Sequence, residues 1–393
     1  MYWSDIEALL ERGEDSTLEF KREAPHPDAL AAEIVAFANT AGGTILFGVE
    51  DDGKICGVSD MKLEERLVSI CRQNVDPPII PVITKLKNNG VHVLALYIPK
   101  NPSVVSTQDG KYYIRVGSTK RQPSKEELAR LFQRSRQIQF DETVIEAAKR
   151  DDIEPAKVDA FLQGLKQPAL NESKLPAENL LLNLRILKNE ERGVFPTVAG
   201  LLAFGKNAQF FLPGAEIQAA HYRDDSRTSE VLDQKTIRGT VTEQIEGAVG
   251  FVKNNMRIGS VIQGIKRIEF PDYSLEAVRE AITNAVAHRN YSLSGSGIRL
   301  FMYVDRLEVI SPGGLPNTLT LENIKVVQFS RNQLLASYLA GMGYMEKRGE
   351  GILRMIDWSR ENHAPAPKFE LPAEELFQVT LFKRTTATTN LQS

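Results

Sequence analysis

Only two cysteines, Cys56 and Cys71, occur in 393 residues, so the chain has neither a disulfide framework nor the ligand count of a Cys-rich zinc site. Such usage fits a reducing compartment, and the cytoplasm is the expected location. Charge of one sign is equally scarce. With 48 Lys and Arg against 51 Asp and Glu, the formal net charge is −3, which excludes nucleic-acid binding through overall basicity and leaves only local patches. No apolar run reaches the roughly 18 residues of a membrane span. The start, MYWSDIEALLERGED, has acids where a leader has a basic region and an apolar stretch, so no membrane partner is expected. Repeats and low-complexity tracts are missing too. What is present is length, enough for two or three domains.

The pattern predicts an α+β multidomain chain. Ile6, Leu9 and Leu10 have helical spacing behind a capping Ser4, and Gly13 ends that helix. In STLEFKR the period becomes two, so Leu18 and Phe20 face a core while Thr17, Glu19 and Lys21 share the opposite, presented face. An amphipathic helix over 28–39 exits at Gly42-Gly43 into a buried strand, TILFGV, and the turn EDDG leads to a second strand, KICGV. A helix over 63–74 and strands VHVLALYIP and KYYIRVGS complete a domain over 1–135. Ser124 and Glu127 form a capping box that opens connector helices. Residues 136–270 are a mixed middle region with a helix, turn, helix pair and a strand AEIQAAHYR, and their chemistry is unreadable. Residues 271–385 form a third domain, with a helix SLEAVREAITNAVAHRN and a strand pair in GIRLFMYVDRLEVIS, and 386–393 read as a frayed tail.

Two groups of residues carry chemistry. Glu14, Glu19 and Asp51 stand at strand ends, where neighbouring strands gather three carboxylates of the kind that hold divalent ions for phosphodiester cleavage. The plainer reading makes Glu14 a helix-end acid, pairs Glu19 with Lys21 or Arg22, and leaves EDDG as a turn. Alternation in KYYIRVGSTKRQ puts Lys111, Tyr113 and Arg115 on one face ahead of Lys120 and Arg121, and with Lys21 and Arg22 this makes a candidate nucleic-acid surface. In the third domain Glu280, Asn284 and His288 recur every four residues on one helix face. The turn Ser311-Pro-Gly313-Gly314, the pair Arg331-Asn332, and Gly349-x-Gly351 before a helix follow in order, and glycine before a helix start is a phosphate cradle.

The runs EDSTLEFK, AFANTAGGTILFGVEDDGKICGV and YYIRVGSTKRQPSKEEL resemble, in that order, the AlbA-type domain of the Schlafen family across roughly residues 1 to 135. The resemblance implies a catalytic carboxylate trio at Glu14, Glu19 and Asp51, with Mg2+ or Mn2+ as cofactor and RNA, tRNA included, as substrate. One lobe in place of two implies a homodimer. The third-domain motifs resemble the divergent GHKL ATP-binding domain of bacterial Schlafen-type, helicase-like proteins, an α/β sandwich. This implies Asn284 as the magnesium ligand beside ATP, Glu280 as the group that polarises water, Gly313 and Gly314 near adenine, and Gly349 and Gly351 at the phosphates. Ser311 stands where that family has an adenine-reading Asp. The expected function is an ATP-binding, nucleic-acid-binding protein, a metal-dependent endoribonuclease under nucleotide control; the alternative is a non-catalytic, ATP-responsive DNA-binding regulator.

Overall fold

The computed structural model describes residues 2–384 except 61, 136–138, 166–176, 264–265, 316–318, 328, 347–348 and 374. The expected tail at 386–393 lies outside them. The chain is α+β and falls into two compact units, Met1–Ile138 and Gln139–Ser393. No helix among the described residues is long and apolar enough to cross a membrane.

The first unit is a four-stranded sheet in the order Leu18–Lys21, Gly43–Phe47, Val91–Ile98, Val82–Asn88. Its first two strands are parallel and the others antiparallel. The parallel pair is joined through helix Pro27–Asn39, which starts on a proline at its first turn and is buried at every position from Leu30 to Asn39. From Leu30 onward that helix is interior and not amphipathic as its sequence reading had it, so its buried acid, Glu33, must find a cation inside. Asn39 ends it and exchanges two 2.8 Å hydrogen bonds with the Val105 backbone, tying the helix to the later strands. At Gly42 the backbone has φ 74°, and a Cβ there would meet Lys100 N at 2.7 Å, so only glycine makes the exit. The entry helix spans Trp3–Arg12, two residues earlier than a Ser4 cap allows, and ends at Gly13. KICGV is no strand; a single bridge, Val49 to Ile55, holds the turn. The strand read in KYYIRVGS shrinks to a small hairpin, Ile114–Val116 with Thr119–Arg121. The Ser124 and Glu127 capping box forms as its spacing indicates, with Ser124 N donating to Glu127 Oε2 at 2.8 Å and Glu127 N to Ser124 Oγ at 3.2 Å.

The second unit is built on a six-stranded sheet in the order Val231–Ile237, Ile217–Tyr222, Ile298–Met302, Arg306–Pro312, Leu376–Phe382, Lys368–Ala373. Strand Ile217–Tyr222 runs parallel to Ile298–Met302, so the middle and last regions share a sheet. One apolar core runs from Ala148 to Leu381. A boundary near 270 would cut that core, which is why middle and last regions form one unit. Helices Val241–Asn255 and Leu275–His288 pack on the core through Ile245, Ala248, Val252, Val278, Ala281 and Ile282. Between helices Ala177–Asn183 and Val198–Phe204 stands a hairpin, Leu187–Glu190 with Gly193–Pro196, where the sequence suggested only a turn.

Asp141 anchors this unit from within. It is fully buried, and its Oδ2 accepts from Leu334 N at 2.8 Å and Leu335 N at 3.0 Å, capping helix Gln333–Gly341. Burial pushes its carboxyl up to about 6, against the lowering effect of those two amides. Because the folded pKa lies above the unfolded one near 3.8, the folded state alone holds this proton between about 4 and 6, and the Asp141 contribution grows as pH falls through that window. Asp141→Asn keeps an acceptor for the amides and removes the titration. Its stability relative to the unmutated protein is therefore expected to be highest at pH 7.5 and to decline toward pH 4.5 in urea melts. A difference independent of pH would refute the assignment. Asp141→Ala, by contrast, strands two buried amides, which is expected to add about 1–3 kcal/mol of cost to the same pH-dependent difference, so that its deficit is largest near pH 4.5.

Candidate functional site

The acid trio of the first unit does not assemble. Glu19 sits on strand Leu18–Lys21 but is 7% exposed, not presented to solvent. One of its oxygens is paired with Lys21 Nζ, and the other accepts from Arg115 Nη2 at 2.9 Å. Glu14 Oε1 accepts the Phe20 amide at 2.7 Å, folding the acid back onto the strand. Asp51 is exposed in the turn, where Glu50 N reaches Lys54 O at 2.9 Å. Among the described residues no group of three or more His, Cys, Asp or Glu side chains is placed to hold a metal ion. The plainer reading of the sequence, with Glu19 paired to Lys21, is the arrangement seen.

Arg115 corrects the alternation read in KYYIRVGS. Its side chain is 0% exposed, while that of the next residue, Val116, is 50% exposed. The guanidinium stacks 4.3 Å from the Phe37 ring, donates to Asp15 O at 2.8 Å and Ser118 O at 2.9 Å, and pairs with Glu19 and, at 3.4 Å, Glu33. Lys120 Nζ closes the group on Glu33 Oε1 at 2.6 Å. The count decides the chemistry: two carboxylates meet Lys21, Arg115 and Lys120, so this centre is already over-neutralised and does not fit a divalent cation. Sequence reasoning missed Glu33, although an acid alone in the apolar run AAEIVAFA was the signal. Tyr113 packs against the core as well. The other predicted cations are at the surface: Arg22 is exposed, Lys111 pairs with Asp109 at 2.8 Å, and Arg121 forms a fork with Glu127 at 2.6 and 2.8 Å.

In the second unit the expected residues form two adjoining groups along helix Leu275–His288. In the first, Asn284 Nδ2 donates to Glu280 Oε1 at 3.0 Å, one helical turn apart. Helix Gly351–Glu361 begins directly against them: a Cβ on Gly351 would lie 1.8 Å from Glu280 Oε1 and 3.5 Å from Asn284 Nδ2. Gly349, at φ 71°, turns the chain into that helix start. Beside this contact opens a cavity of about 560 Å³, lined by Glu280, Arg279, Glu246, Tyr344, Gly351 and Arg354 among others, a size suited to a small ligand. Burial holds the Glu280 carboxyl above the usual range, partly offset by the Asn284 hydrogen bond and by Arg354. Arg354 clips the approach to the helix through Glu346 at 2.5 Å and Glu350 at 3.2 Å, a role that only the i,i+4 spacing of Glu350 and Arg354 hints at in sequence.

The second group is largely structural. Ser311 is buried and its Oγ donates to Ala285 O at 3.0 Å, so the hydroxyl expected to face adenine fastens strand to helix. Asn332, 1% exposed, donates to Ala287 O at 2.9 Å and Arg289 O at 2.8 Å and thereby caps the same helix. Arg331 Nη2 donates to Gly314 O. Gly313 has φ 110°, and a Cβ there would meet Arg331 Nη1 and Asn290 Cβ at 2.8 Å. Desolvation, and then Arg331, hold His288 down to about 4, so its imidazole is neutral at physiological pH.

Comparison with known families follows the same division. Residues 14–124 match the family described as Schlafen, AlbA_2, and residues 295–381 match "Putative ATP-dependent DNA helicase recG C-terminal". The chain carries a Schlafen AlbA_2 domain and a recG C-terminal domain. A domain of unknown function matches residues 129–214 between them. Among solved structures, the DIP2311 protein from Corynebacterium diphtheriae is 24% identical with a TM-score of 0.50, over 97% of this chain and 80% of that one, a likeness of fold. The N-terminal domain of a RecG-related protein from Nitrosomonas europaea is 23% identical over 32% of this chain and 94% of its own, with a TM-score of 0.24. No curated protein matches. The Schlafen AlbA_2 match contains the Glu19, Glu33 and Arg115 group; the recG C-terminal match contains Ser311, Arg331 and Gly351, while Glu280 and Asn284 precede it.

Proposed function

We propose that this chain is an ATP-responsive, nucleic-acid-binding regulator that does not cut its target. The observation that carries the reading is Glu19: it is buried with both oxygens paired to cations, Lys21 and Arg115, in a centre where cations already outnumber carboxylates and disfavour a divalent ion. Nucleic-acid binding rests on the Schlafen AlbA_2 match and on the exposed cations Arg22 and Lys111, the second beside Asp109 at the surface. ATP binding rests on the recG C-terminal match and on Glu280, Asn284 and Gly351 meeting beside the cavity. In this reading Asn284, whose amide nitrogen is taken by Glu280, would offer its oxygen as a magnesium ligand, and the start of helix Gly351–Glu361 would hold phosphates. The cytoplasm suits two free cysteines.

The test is incubation with labelled tRNA, single-stranded DNA and duplex DNA, with Mg2+ or Mn2+, with and without ATP. Binding without cleavage is expected, and the preferred arm identifies RNA or DNA. Metal-dependent cutting that disappears in Glu14→Ala/Glu19→Ala would overturn the reading in favour of a nuclease. Arg22→Ala/Lys111→Ala removes two exposed cations and is expected to weaken binding across sequences and to lower the slope of log affinity against log salt by about 2. An unchanged slope would place the nucleic-acid surface elsewhere.

A further inference from the structure

Strand Val231–Ile237 ends the six-stranded sheet, and among the described residues no strand lies on its outer side. Its residues are exposed from Val231 to Thr236, with Val231 at 44% and Leu232 at 47%. Such an edge offers a row of unpaired backbone donors and acceptors, and proteins ordinarily blunt it with a charge that repels a second strand. This edge carries both signs, two residues apart on one face. Asp233 Oδ2 accepts from Asn255 Nδ2 at 2.8 Å, which fixes its position, and Lys235 has no side-chain partner among the described residues.

We propose that this edge pairs with the same edge of a second copy, antiparallel, with the two-fold axis at Gln234. In that register the residue numbers of each facing pair add to the same total, so Asp233 stands opposite the partner subunit's Lys235, and Lys235 opposite the partner subunit's Asp233. Two opposite-charge cross-strand pairs form, one on each side of the axis. Shifting the register by two residues in either direction sets like charges face to face, at Asp233 or at Lys235, so the pattern selects one alignment. The β-bulge against His221 and Tyr222 ends the regular ladder near Leu232, leaving Asp233 to Ile237 as its straight part. The sheet then runs continuously through both copies. A single strand pair buries less than a standard interface, so the dimer is expected to be concentration-dependent.

Sedimentation velocity tests this without any ligand. At about 100 µM, where a micromolar dimer is well populated, the unmutated protein is expected to be dimeric. Asp233→Lys places two lysines on the edge and Lys235→Asp two aspartates; each alone is expected to be monomeric, at least tenfold weaker in association. Mixed in equal amounts, the two variants are expected to recover dimer, since each edge then meets its opposite, and that recovery also shows that both variants are folded. A monomeric unmutated protein at this concentration, a dimer indifferent to either change, or a mixture that stays monomeric would each overturn the proposal.

Discussion

Arg115→Met is expected to lower the stability of the N-terminal unit by about 3–5 kcal/mol, seen as a fall of roughly 10 °C or more in its melting temperature. The cause is what remains behind. Glu19 and Glu33 are both buried, and with the guanidinium gone Glu19 keeps only Lys21 and Glu33 only Lys120. Backbone carbonyls of Asp15 and Ser118 also lose their donor. Methionine fills the space against Phe37, so the loss is one of charge and hydrogen bonding and not of volume. Adding Glu33→Gln to Arg115→Met removes a buried carboxylate left with Lys120 alone, and the loss in the double variant is expected to differ from the sum of the two single losses, since residues of one network are coupled. If Arg115 instead served nucleic acid, as strict alternation along KYYIRVGS suggests, the melt would stay put and affinity would fall.

That residue shows where sequence reasoning stops. Apolar runs located the strands Gly43–Phe47 and Val91–Ile98 and the pair Ile298–Met302 with Arg306–Pro312, and alternation places side chains correctly when one face is apolar and the other wet. It fails where the interior accepts ions. Arg115 and Glu19 are inside because Glu33, 82 positions before Arg115, sits on a helix buried at every turn, and that long-range pairing leaves no trace in local period. The glycine and helix-stripe signals of the second unit were legible because spacing alone brings them together: Glu280 and Asn284 lie one helical turn apart, and a Cβ at Gly351 would displace the Glu280 carboxylate. Ser311 and Asn332 were misjudged for the converse reason. A polar residue in a motif says that a hydrogen bond is made, and here all three bonds of the two residues go to the end of helix Leu275–His288.

Gly351→Ala is expected to reduce ATP affinity at least tenfold by calorimetry while leaving the melting temperature of the second unit nearly unchanged. The new methyl would stand 1.8 Å from Glu280 Oε1 and 2.8 Å from its Cδ, so the carboxylate must swing away and the 3.0 Å bond to Asn284 must break. Alanine is a better helix residue than glycine, so helix Gly351–Glu361 itself loses nothing. Asn284→Ala leaves the backbone cradle intact and is expected to remove the magnesium-dependent part of binding only. Glu280→Gln keeps an acceptor for the Asn284 amide and is expected to bind ATP as well as the unmutated protein, while any hydrolysis it supports stops. The three changes separate the roles by what each leaves in place. Unchanged calorimetric affinity in both Gly351→Ala and Asn284→Ala would move the nucleotide away from this contact, and the cavity of about 560 Å³ beside it would have to serve another ligand.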